Sequence, residues 1–156
     1  MGGFKAHSRA GVLWFGLALI PIGAWYYYRF GTDLNSILHQ MWQLPVCFIC
    51  CYLGALFPDV DITSTSQKVI YSIVLVLDIT LIVLHYYEIA AWIGVGILVI
   101  SLLKHRGFTH RLSTAFLIPL PLLVVPILLT ENIHEIGVPY YAAAVVGYLS
   151  HLWVDR

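Results

Sequence analysis

Residues 10–28 read AGVLWFGLALIPIGAWYYY. Lys5 and Arg9 precede this run, as a basic region precedes the apolar region of a secretory leader. The run continues through Trp25 and Tyr26-Tyr27-Tyr28 with no A-x-A-like cleavage site, so the expectation is a retained membrane helix. The rest of the chain is built in the same way. Of 156 residues, 60% are hydrophobic and only 10% are charged. A soluble domain carries about 25% charged residues, so this chain cannot cover itself with a soluble surface.

Five more apolar segments follow, over residues 41–57, 69–86, 89–103, 113–129 and 138–154. Several are shorter than the roughly 20 residues that span about 30 Å of hydrocarbon. Local thinning and polar flanks accommodate such helices. Pro119, Pro121 and Pro126 are expected to kink or loosen the fifth segment. The fold class expected is all-α: one domain over 1–156, a polytopic membrane protein of about six transmembrane helices. Cys47, Cys50 and Cys51 lie in an apolar run and read as small helix residues. A zinc knuckle would need a second ligand pair nearby.

Basic residues orient the chain. With six crossings, one side holds Lys5, Arg9, Lys68, Lys104, Arg106, Arg111 and Arg156, and the other holds only Arg29. The first side, with both termini, is therefore expected in the cytoplasm. Formal net charge is zero, so bulk charge suggests no nucleic-acid partner.

The most polar window, His105-Arg106-Gly107-Phe108-Thr109-His110, falls on that same side. So do His7, the pair Asp59 and Asp61 after Pro58, and His151 with Asp155. Pro58 is expected to stop its helix and leave Asp59-Val60-Asp61 extended, with alternate residues pointing the same way. His151 and Asp155 are four residues apart and share a helix face. Gly147 and Ala143 continue that row and would let a neighbouring helix approach closely.

Seven candidate metal ligands thus converge from separate segments: His7, Asp59, Asp61, His105, His110, His151 and Asp155. Imidazole with carboxylate suits a divalent transition metal, Zn²⁺ first, with Mn²⁺ and Fe²⁺ as alternatives. One or two ions are expected, since seven ligands exceed the three protein ligands usual for one catalytic zinc. Asp61 or a histidine not used as a ligand could serve as general base. Arg106, with Lys104 or Arg111, is placed to hold an anionic group. His39, His85 and His134 fall on the opposite side. Asp78, mid-segment in the third run, is costly there unless paired or protonated.

These motifs carry a resemblance. The chain resembles the YdjM-like family of predicted bacterial inner-membrane metal-dependent hydrolases. The family's T-H-x-x-x-G appears as Ala6-His7…Gly11, its P-D-x-D as Pro58 to Asp61, its H-R-x-x-T-H as His105 to His110, and its G-x-x-x-H-x-x-x-D as Gly147…His151…Asp155. Two features depart from the pattern: Ala6 replaces Thr, and the sequence stops at Arg156, where members usually continue. The resemblance implies a multi-pass protein of the bacterial inner membrane with a metal site. The expected function is metal-dependent hydrolysis at the membrane face, of a phosphoester first and an ester or amide second, in a lipid-like substrate. The alternatives are a non-enzymatic metal-binding membrane protein, either a transporter or a structural partner, and a haem protein. A transporter needs polar groups along a path through the bilayer, and Asp78 alone sits at mid-depth. Haem needs facing histidines at membrane depth.

Overall fold

Residues Phe4–Phe30 form one helix, α1. Its 27 residues rise about 40 Å, enough to cross a bilayer of about 30 Å hydrocarbon thickness. The computed structural model describes residues 3–61, 63–102, 108–130 and 137–156. Every regular element among them is helical. Helix α1 stops at Gly31, whose φ of 60° is open to glycine and whose N–H bonds Tyr27 O at 2.8 Å.

A short helix not expected from the apolar pattern follows, α2 (Leu34–Gln40). Asp33 caps it, accepting from Asn35 N at 3.1 Å. Then come α3 (Gln43–Leu56), a 3-10 turn (Phe57–Asp61), α4 (Thr65–Val83) and α5 (Tyr87–Leu102). Ser64 caps α4 through Gln67 N at 3.0 Å. The fifth apolar segment is two helices, α6 (Leu112–Leu117) and α7 (Leu120–Thr130). Pro119 sits at their junction and has no N–H with which to continue the ladder. The last helix is α8 (Gly137–Val154).

Each expected apolar segment is therefore mainly helical over its described residues, with 41–42, 84–86 and 118–119 outside the helices. Among the described residues three stretches, Phe4–Phe30, Gln43–Val60 and Thr65–Val83, are long and apolar enough to cross a membrane. Helix α5 and the α6–α7 pair are apolar but shorter. Helix α8 is the centre of the fold, packed mainly by α1 and α3. It presents less surface to lipid, which is why tyrosine, serine and histidine are tolerated along it.

Small residues bring α3 and α8 together. A Cβ on Gly147 would strike the Cys51 carbonyl, and one on Gly54 would strike the Ala144 carbonyl. Gly11 of α1 lies against α3, where an added Cβ would come 2.8 Å from the Ala55 Cβ. Ala143, in the same row as Gly147, is fully buried. The predicted small-residue row is thus a helix-crossing surface. Cys47 and Cys51 are buried in the core with Ala18, Ile22, Tyr26 and Ala143, so they act as small apolar side chains. A second cluster, Leu56, Val60 and Ile70, seats the 3-10 turn on α4.

Candidate metal centre

His7 lies in α1 beside the first turn and is 1% exposed. Its neighbour Ser8 meets the Tyr52 hydroxyl of α3 at 3.1 Å, which ties this end of α1 to the bundle. His151, near the end of α8, is wholly buried. Asp155 follows one turn later, and its N–H closes that turn on His151 O at 3.1 Å. Asp59 comes from the turn after α3.

That turn corrects one expectation. Asp59-Val60-Asp61 is not extended but 3-10 helical. Proline's fixed φ fits a helical turn, and Pro58 falls in its first positions. At three residues per turn, side chains two apart point to different sides. The alternation expected of an extended segment therefore does not apply to this turn. Two side chains fix the turn: Ser64 Oγ donates to Asp59 O at 3.0 Å and Gln67 Nε2 to Val60 O at 3.0 Å.

Four side chains then meet. His7 Nε2 stands 3.8 Å from Asp59 Oδ2 and 3.5 Å from Asp155 Oδ1. His151 Nε2 stands 3.5 Å from Asp59 Oδ1 and 3.4 Å from Asp155 Oδ2. The four donor atoms that His7, Asp59, His151 and Asp155 can offer lie within 4.8 Å of one another. No other group of three or more His, Cys, Asp or Glu side chains comes together in this way among the described residues.

Hydrogen bonding sets the direction of the rings. His151 Nδ1 donates to Ala55 O at 2.8 Å. In the neutral ring, Nε2 is then a bare lone pair. It faces two carboxylates, and it has no hydrogen-bond partner among the described residues; nor does either nitrogen of His7. Lone pairs converging on carboxylate oxygens repel one another unless a cation or proton sits between them. The spacing answers which. A tetrahedral shell with ligands about 2.0–2.1 Å from its ion has ligand–ligand edges of about 3.3–3.4 Å. The observed nitrogen–oxygen separations of 3.4, 3.5, 3.5 and 3.8 Å, each to a different carboxylate oxygen, are close to that length. They exceed a direct charge-assisted hydrogen bond of about 2.7–2.9 Å. The donor set fits a metal ion.

His110 stands at the edge of this group. Its Nε2 is 3.4 Å from Asp155 Oδ2, and its ring meets His151 edge-on at 5.4 Å. Thr109 Oγ1 holds its Nδ1 at 3.1 Å. Thr109 O in turn accepts from the buried Tyr148 hydroxyl at 2.6 Å, and Thr114 Oγ1 donates to Phe108 O at 2.6 Å. These bonds fasten the segment before α6 to α8 and to α6, and such outer bonds orient ligands.

Of the seven ligand candidates, the structure brings five together. His105 lies outside the described residues, as do Arg106 and Lys104, and the Asp61 side chain is outside the described set too. His39 and His85 do not join the group. Asp78 stays apart from it, between α4 and α5 beside a cavity of about 320 Å³, with Oδ1 buried and unbonded among the described residues. The sequence reading missed the Ala55 carbonyl and Tyr148, which no pattern marks. It missed Thr109 too, although Thr109 lies within the polar window.

Next to the centre opens a cleft of about 400 Å³. Trp14, Leu112, Leu149, Leu152 and Trp153 form its apolar wall, and His110, Asp155 and Arg156 its polar end.

No curated protein and no solved structure matches this chain. The model of the family described as YdjM inner membrane protein matches residues 5–156. With its apolar helices and a His/Asp cluster able to hold a metal ion, the chain belongs to the YdjM inner membrane protein family.

Proposed function

We propose that the chain is a metal-dependent hydrolase acting on a phosphoester of an amphiphilic, lipid-like substrate. The observation that supports this most is the convergence of His7, Asp59, His151 and Asp155, each offering one donor atom within 4.8 Å of the others. A divalent ion held there supplies a Lewis acid and a water that ionises near neutral pH. The four residues would hold it, with Zn²⁺ the first choice from the nitrogen and oxygen donors and Mn²⁺ or Fe²⁺ the alternatives. A second ion would draw on Asp61, His105 and His110, with Asp155 shared. Otherwise Asp61 is the candidate general base. Arg106, with Lys104 or Arg111, would clamp the anionic group through charge-assisted bonds.

In this reading six segments cross the membrane, and the centre faces the cytoplasm together with both termini. The seven-to-one division of Lys and Arg supports that orientation. In cysteine-free protein, single cysteines replacing Lys68 and Glu131 should label from opposite sides. Labelling of both from the periplasm would remove it.

A metal transporter is the second reading; it would draw on half-buried Asp78 of α4, whose Oδ1 has no hydrogen-bond partner among the described residues. The two readings separate in lipid extracts of cells expressing wild-type or His151→Ala protein. A hydrolase depletes one amphiphile in the wild type only. No change in any lipid, with the wild type holding its metal, counts against a lipid hydrolase.

A further inference from the structure

We propose that the cleft between Trp14 of α1 and Trp153 of α8 holds the hydrocarbon chain of the substrate, which reaches the metal centre sideways from the bilayer. This rests on the reading of the centre as hydrolytic.

The helical registers place cleft and centre side by side. Trp14 follows His7 by seven residues, two turns along the same face of α1 and about 10 Å deeper. On α8, Leu149 and Trp153 recur at i and i+4 on one face, and Arg156 follows just beyond the helix end to line the same cleft. Asp155 borders that face and the one that carries His151. Asp155 is therefore shared: it contacts His7 and His151 in the centre, and it lines the cleft.

The chemistry of the wall changes along its length. One end has His110, Asp155 and Arg156, and the rest is apolar. The Trp14 and Trp153 rings lie 6.1 Å apart, and Trp153 is 63% exposed. A volume of about 400 Å³ lies in the range of small-molecule sites. An occupant matched to this gradient has an anionic head at Arg156 and an apolar chain against the tryptophans. The Asp155 carboxylate repels that head, and Arg156 together with a bound cation offsets it. A soluble phosphoester would leave the apolar wall unused.

The test uses the full chain, zinc-loaded, in phosphatidylcholine nanodiscs. The probe is decyl phosphate with a photoreactive diazirine on its chain. Labelling should concentrate at Trp14, Leu149 and Trp153. Unlabelled decyl phosphate should compete, and methyl phosphate at equal concentration should not. Leu149→Trp should fill the cleft and cut labelling at Trp14 roughly tenfold, the affinity equivalent of losing the burial of one apolar group, with zinc content unchanged. Trp153→Ala removes an exposed ring and should weaken labelling in the same direction. Label spread evenly over the lipid-facing sides of α1, α4 and α8, or equal competition by methyl phosphate, would overturn the proposal. Even labelling by a protein that holds zinc and depletes a lipid leaves the hydrolase and removes the cleft. Labelling confined to the cleft of a protein that holds no zinc does the reverse.

Discussion

The imidazole rings of His7 and His151, from opposite ends of the chain, stack with centroids 3.7 Å apart and planes 13° from parallel. Two imidazolium ions at that distance would repel each other, and a metal takes the neutral ring. The stack sets both Nε2 atoms toward Asp59 and Asp155.

His151→Ala and His110→Ala should therefore differ. The first removes a member of the four-residue group. Its cost in metal affinity should exceed the roughly 10–100-fold typical of outer-sphere partners. The second removes a residue at the edge and should cost no more than that range. Competition with a chromogenic chelator measures both. Equal, complete loss of metal in the two variants would place His110 within the first coordination sphere.

Tyr148→Phe removes the hydroxyl that bonds Thr109 O in a buried setting. The lost bond should reduce stability by about 1–3 kcal/mol. Metal affinity should fall about tenfold through the loosened Thr109–His110 segment. Thermal unfolding and metal titration on one preparation check both, and unchanged values would show that the segment is held by other bonds.

Asp59→Asn tests the balance of charge. Two carboxylates converge with imidazole nitrogens of His7 and His151 that have no hydrogen-bond partner among the described residues. Removing one charge should abolish metal binding yet raise the melting temperature of the metal-free protein. Wild type should gain stability with added zinc, about 2.7 kcal/mol when free ion is a hundred times Kd, and the variant should gain none. A metal-free variant less stable than metal-free wild type would mean that hydrogen bonds, and not a cation, hold the cluster.

Gly147→Ala and Gly16→Ala form a matched pair. At Gly147 the new methyl group strikes the Cys51 carbonyl, whereas at Gly16 nothing lies within 4 Å. Overpacking should cost the first about 1–3 kcal/mol and part of its metal affinity, since α3 and α8 carry Asp59 and His151. The second should be neutral or gain up to about 1 kcal/mol from helix propensity. Similar melting temperatures for the two would show that the α3–α8 crossing can relax.

The sequence by itself determined the helical class, because an apolar chain with few charges can satisfy its backbone in lipid only within helices or closed barrels. It determined where the apolar helices run, though not the short α2 (Leu34–Gln40), since the apolar segments end at polar residues, prolines and Gly31. The His151–Asp155 pair was legible too, because a four-residue spacing closes within one helical turn and needs no other part of the chain. So was the packing role of Gly147, since only a residue without a side chain allows so close a crossing. The tertiary structure decided what depends on contact between distant segments. It turned Asp59-Val60-Asp61 into a 3-10 helix through Ser64 and Gln67, where Pro58 alone suggested an extended strand. It set His110 at the edge of the four-residue group, 3.4 Å from Asp155 Oδ2. It supplied the Ala55 carbonyl that fixes the His151 tautomer, and it brought Trp14 against Trp153. A backbone carbonyl is present at every residue and leaves no mark in sequence. Only the α3–α8 crossing decides which one an imidazole meets.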